Sequence, residues 1–142
     1  MRLSPPPPIR RVLETALYVD NLERAGTFYG DILGLPALST GARLVALDAG
    51  GGTVLLLFLR GATTSEVGTS GDRIPAHDGS GTVHFAFAVD AAQLPPWRDY
   101  LVGHGIEIES EIDWARGGRS LYFRDPDGHL VELASPGVWE VY

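Results

Sequence analysis

Cysteine is absent from all 142 residues, which removes disulfides, thiolate nucleophiles and cysteine-ligated zinc together. That absence fits a cytoplasmic enzyme. Long apolar runs are also missing. The longest, Val54 to Leu59, falls far short of the roughly 20 residues a membrane-spanning helix needs. Basic residues are few: 11 Lys and Arg against 18 Asp and Glu give a net charge of -7. With no basic patch to neutralise phosphates, nucleic acid is excluded as a partner class. Met1 to Ile9 holds four prolines and no apolar core, so it reads as a stiff extended arm rather than a secretory leader. The chain as a whole is 44% hydrophobic, enough to bury one core.

What the chain does contain is a repeat. Glu14-Thr15-Ala16-Leu17-Tyr18-Val19-Asp20 aligns with His84-Phe85-Ala86-Phe87-Ala88-Val89-Asp90 at an offset of 70 residues. Both alternate in character and read as strands. Helical patterns follow each, over Asn21 to Leu33 with Gly34 as its stop, and over Ala91 to Val102 with Gly103. Three short strands are then expected in each half: Leu35–Ser39, Arg43–Asp48 and Thr53–Arg60, then Ile106–Ile112, Arg119–Asp125 and His129–Ser135. The order β-α-β-β-β, twice, predicts an α+β fold of two modules forming a curved mixed sheet. Residues 1–9 are the arm and 10–136 a single domain. Within it, 10–60 is the first module, 61–81 a Gly/Ser/Thr-rich linker or flap and 82–136 the second module, with 137–142 a tail.

Strand parity separates a bulky face from a lighter one. Leu13, Leu17 and Val19 oppose Glu14, Ala16 and Tyr18; Val83, Phe85, Phe87 and Val89 oppose His84, Ala86 and Ala88; Val131 and Leu133 oppose Leu130, Glu132 and Ala134. Each lighter face carries one ligand-type side chain beside small residues, which leaves room for a metal and a small molecule. Glu132 stands in an apolar strand after the turn Asp125-Pro126-Asp127-Gly128, where an ionised carboxylate is costly unless paired. Glu14, His84 and Glu132 would offer oxygen and nitrogen donors suited to Fe(II), Mn(II), Ni(II), Zn(II) or Mg(II), with positions left open for substrate. Matching Asp48 to Asp125 gives an offset of 77, which pairs Glu132 with Leu55; a slip of one residue gives Val54 or Leu56. None of these is a ligand.

At LETALYVDNLERAGTFYGDILGL, HFAFAV and YFRDPDGHLVEL the chain resembles the vicinal oxygen chelate superfamily. That superfamily includes glyoxalase I, extradiol dioxygenases, fosfomycin-resistance thiol transferases and bleomycin-resistance proteins. The resemblance covers Arg11 to Gly137 and implies paired βαβββ modules around a metal, with Glu14, His84 and Glu132 at three ligand positions. Glyoxalase I-like members have a fourth ligand where Leu55 stands. Extradiol enzymes usually have a second His in place of Glu14, and bleomycin-binding relatives generally lack the metal set.

The expected function is therefore a metal-dependent enzyme, with dioxygenase or lyase/isomerase chemistry, acting on a small molecule through a divalent ion (Fe, Mn, Ni or Zn). A metal-free drug-binding protein is the alternative. Glu14 or Glu132 could serve as base, and Tyr122 could donate a hydrogen bond to an oxyanion. Trp114, Arg116 and Arg119, on a seven-residue excess in the second module, and His77, on the flap, are candidate substrate contacts. His104 and His129 read as surface residues, and Asp125 and Asp127 as turn formers. A homodimer is expected, because paired modules in the superfamily often complete a site across two chains; whether Glu14 meets the other ligands within one chain is open.

Overall fold

Alternation of buried and exposed positions turns both repeats into sheets of the same design. The computed structural model describes residues 4–69 and 71–142; the first three residues of the arm lie outside them. In the first module β1 (Glu14–Val19) is followed by α1 (Leu22–Gly26), β2 (Ala37–Thr40), β3 (Leu44–Gly50) and β4 (Thr53–Leu59). The sheet order is β1-β4-β3-β2, parallel between β1 and β4 and antiparallel elsewhere. A short hairpin, β5 (Val67–Thr69) with β6 (Asp72–Ile74), lies inside the flap, where the sequence predicted only a loop. The second module comprises β7 (His84–Ala88), α2 (Leu94–Gly103), β8 (Ser110–Asp113), β9 (Arg119–Arg124) and β10 (Leu130–Ala134). Its order, β7-β10-β9-β8, repeats that of the first module. The α+β architecture of two βαβββ modules is thus present.

Helices cover one face of each sheet. Leu17, Val19, Val45, Leu47, Leu55 and Leu57 pack under Ala25, Phe28 and Tyr29 in a core continuous with Leu121, Phe123, Val131 and Leu133 of the second module. Removing each such side chain from water contributes roughly 1.5–3 kcal/mol. Asn21 caps α1 by accepting from the Arg24 backbone N–H. After Gly26 the helix widens into a π-helical stretch, Thr27–Ile32, in which the Leu33 N–H reaches Phe28 O at 2.9 Å. The wider turn seats Phe28 and the adjacent Tyr29 in the core together. In the 137–142 tail Gly137 N–H donates to Tyr142 O at 2.7 Å, and the Tyr142 hydroxyl reaches Val89 O at 3.2 Å.

The turn Asp125–Gly128 does more than set register. Asp125 Oδ1 accepts from the backbone N–H groups of Asp127 and His129, and Oδ2 accepts from the buried Tyr29 hydroxyl at 2.6 Å. Asp127 Oδ1 accepts from Asp20 N and Arg24 Nη2. His129, expected at the surface, is 1% exposed. Val83 N–H donates to its Nδ1, so Nε2 carries the proton and donates to Tyr18 O at 2.9 Å. Buried at the module seam, the histidine satisfies the Val83 N–H and joins Arg60 Nε in donating to Tyr18 O.

Candidate functional site

Register places the ligand-type residues. His84 opens β7 opposite Leu130, and Glu132 lies two residues further along β10, opposite Ala86 and Tyr122. The Cβ atoms of His84 and Glu132 therefore share the face away from the helix, with Ala86, Ala88 and Ala134 as small neighbours. His84 Nε2 stands 3.1 Å from Glu132 Oε1, with the carboxylate almost wholly buried and the imidazole half-exposed. Nδ1 of His84 lies 3.0 Å from Leu130 O. A carbonyl can only accept, so Nδ1 carries a proton and, in the neutral ring, Nε2 presents a lone pair toward Oε1. Two acceptors at 3.1 Å require something positive between or upon them: a proton on Nε2, or a metal cation. A histidine fixed through Nδ1 by a backbone carbonyl is the arrangement that orients a metal-ligating imidazole.

The other carboxylate oxygen is held from behind. Ser120, 2% exposed, donates to Glu132 Oε2 at 2.5 Å, and its own oxygen accepts from the Trp114 indole N–H at 2.8 Å. Sequence reasoning placed Trp114 at a pocket mouth as a substrate contact and did not single out Ser120. In the structure Trp114 is the outer end of a relay, Trp114 to Ser120 to Glu132, that fixes the carboxylate rotamer. The signal available was Ser120 sharing strand parity with Tyr122, opposite Ala134. Replacing Ser120 with Ala is expected to weaken divalent-metal affinity about 10- to 100-fold, read by competition against a metal indicator, and to cost about 1–3 kcal/mol of stability because the buried Glu132 oxygen loses its donor.

Tyr122 flanks the pair, its ring centroid 6.1 Å from that of His84. Burial, and then the negative charge of Glu132, hold its phenol above the usual tyrosine range. It therefore stays protonated at neutral pH and is a hydrogen-bond donor rather than a base.

The remaining expected residues fall elsewhere. Glu14 is exposed on β1, opposite Val54. Among the described residues no group of three or more His, Asp or Glu side chains converges as a metal site, so Glu14 does not join His84 and Glu132 within one chain. Arg116 is exposed in the β8–β9 turn. Arg119 alternates with Leu121 and Phe123 onto the helix-side face and pairs with Asp113 at 2.7 Å, which removes it from the face of Glu132. His77 packs on Tyr18 and Phe58 of the first module. The first-module counterpart of Glu132 is Leu56, not Leu55: Leu56 lies opposite Ala16 as Glu132 lies opposite Ala86. Leu55 is 1% exposed on the core side. The fourth position holds no ligand.

Residues 11–133 match the sequence model of the Glyoxalase/Bleomycin resistance protein/Dioxygenase superfamily. Metallothiol transferase FosB of Shouchella clausii is 28% identical over 81% of this chain and 73% of its own. Catechol-2,3-dioxygenase of Bacillus subtilis is 32% identical over 82% of this chain, which spans only 38% of the dioxygenase. Among solved structures, lactoylglutathione lyase from Agrobacterium tumefaciens superposes with a TM-score of 0.84 at 33% identity, covering 94% of this chain and 99% of that one.

Proposed function

From its membership of the glyoxalase/bleomycin resistance protein/dioxygenase superfamily, we propose that this chain is a metal-dependent enzyme whose site pairs His84 and Glu132 with Glu14 of a partner subunit. The 3.1 Å approach of two acceptor atoms, His84 Nε2 and Glu132 Oε1, is the observation that carries the proposal. Their donor set fits a divalent ion of the Fe, Mn, Ni or Zn type. When bound, such an ion supplies Lewis-acid stabilisation of negative charge on neighbouring oxygens of a small substrate. Ser120 and Trp114 hold the Glu132 carboxylate in place. Tyr122 donates a hydrogen bond toward substrate oxygen, and a carboxylate, Glu14 or Glu132, accepts a proton from the substrate.

Lyase or isomerase chemistry is favoured over ring cleavage. The lactoylglutathione lyase structure is covered almost end to end, whereas the catechol dioxygenase is covered for 38% of its length. Glu14 in place of a histidine points the same way, since it makes the ligand set more anionic and adds a potential base.

A second reading, a metal-free binder of small molecules, draws on the convergence of no more than two ligand side chains among the described residues of one chain. One measurement separates the two. Protein purified without chelator is expected to carry a divalent metal above background, and Glu132→Ala is expected to lose it. Absence of metal in the wild type, with no uptake on titration with Fe(II), Mn(II), Ni(II) or Zn(II), would establish the binder instead.

A further inference from the structure

A cavity lies in the first module, on the sheet face that also carries Glu14. Its floor is the non-helical face of the sheet, where Leu44 and Phe58 stand opposite each other in register. Its roof is the flap, which brings Ile74, Pro75 and His77 over that face. The volume is about 320 Å³, at the small end for ligand pockets, where one or two rings would fit.

The roof is fastened in place. His77 N–H donates to Thr63 O at 2.9 Å, and the Thr63 hydroxyl donates back to His77 O at 2.5 Å. The Tyr18 hydroxyl reaches His77 Nδ1 at 2.6 Å, and the imidazole meets Phe58 edge-on at 4.6 Å. Gly79 lies so close to the Tyr18 ring that a Cβ would sit 2.3 Å from a ring carbon. The flap is therefore seated on an aromatic cluster rather than swinging free.

Charge narrows the occupant. Among the described residues six arginines are held in ion pairs: Arg24, Arg60, Arg73, Arg98, Arg119 and Arg124. Of the others, Arg10, Arg11, Arg43 and Arg116, Arg43 is the one that lines this cavity. It has no carboxylate partner among the described residues, and its one hydrogen bond, to Ala62 O, is a long 3.5 Å. An uncommitted guanidinium at the edge of an apolar cavity, in a chain of net charge -7, is suited to a carboxylate. Ile74 remains 63% exposed above the opening, an apolar surface that a ring system would cover.

We infer that the cavity between the flap and β3–β4 binds a small aromatic carboxylate, with the ring on Leu44, Phe58 and Ile74 and the carboxylate on Arg43. The cavity shares the non-helical face of the first sheet with Glu14 and Tyr18, so the inference rests on the proposed function and deepens it by naming a substrate class. Binding measured without metal keeps its failure distinct from that of the metal reading. The probe is 2-naphthoate, with neutral 2-naphthamide as its control, titrated calorimetrically in the presence of chelator. The expected result is saturable 2-naphthoate binding with a Kd near 1 mM or below. Arg43→Gln should weaken it about 5- to 10-fold while leaving naphthamide unaffected. Ile74→Ser, at an exposed position that folding does not need, should weaken both ligands about threefold. Glu132→Ala should change neither. Lack of saturation by about 10 mM, insensitivity of naphthoate to both cavity substitutions, or loss of binding in Glu132→Ala would overturn the inference.

Discussion

Neither Glu14→Ala nor Glu132→Ala protein alone is expected to retain metal, whereas a mixture of the two, unfolded and refolded together, should recover about a quarter of the wild-type metal content. The fraction follows from symmetry. Random pairing makes about half of the dimers mixed, and in each mixed dimer one site combines an intact Glu132 with an intact Glu14 while the other lacks both. The physical basis is that β1 carries Glu14 at an exposed edge of the first sheet, while β10 carries Glu132 within the second. Within one chain Glu14 does not converge with His84 and Glu132 among the described residues. Metal analysis after gel filtration, which also checks for a dimer, reads the outcome. No recovery in the mixture, with both single variants folded, would rule out a ligand shared across the interface.

The largest stability effect is expected at Asp125. Replacing it with Ala removes the acceptor of three hydrogen bonds and leaves the Tyr29 hydroxyl buried without a partner. Hydrogen bonds to a charged acceptor are individually worth about 1.5–3 kcal/mol, and a stranded buried donor adds its own desolvation cost. Loss of about 3–5 kcal/mol follows, seen as a Tm lower by roughly 10–15 °C. A shift under about 3 °C would show that the turn backbone holds the seam without the carboxylate.

Tyr29 gives the same contact a pH signature. Burial first, and the Asp125 charge second, raise its phenol well above the ordinary value of 10. Below pH 10 the proton is bound in folded and unfolded states alike, and the contribution to stability is complete. Above pH 10 the unfolded chain releases the proton while the folded one keeps it, so stability falls by up to about 1.4 kcal/mol per pH unit. Tyr29→Phe should be less stable at pH 8 and lose less between pH 10 and 11 in chemical denaturation.

Much of this architecture was legible in the residues, because period-two alternation in LETALYV and HFAFAV carries both strand identity and facing. Once Leu17, Phe85 and Val131 are assigned to the core, Glu14, His84 and Glu132 must share the opposite face. The misplacement of Leu55 for Leu56 has a local cause. Asp48 was matched to Asp125, yet Asp48 lies opposite Val54 as Arg124 lies opposite Leu130, and the ladder shifts between Asp48 and Gly50. Both turns span six residues between these paired positions, so the Asp-to-Asp match alone carries the one-residue error. The flap hairpin was hidden because three-residue strands such as Val67–Thr69 are too short to show alternation. The roles of Ser120, Tyr29 and His129 depend on partners far along the chain, and local patterning is silent about those.

Hydrogen bonds across the module seam join residues 96, 107 and 111 apart in sequence, at Tyr29–Asp125, Asp20–Asp127 and Tyr18–His129. The ladders within each module close much shorter spans, with Glu14 opposite Val54 and His84 opposite Leu130. Loop-closure entropy grows with span, and contacts of high sequence separation slow folding. Each sheet therefore has the shorter path to its own structure, and docking of the two halves is the later event, completed only when the Asp125–His129 turn meets β1 and the helix that follows it.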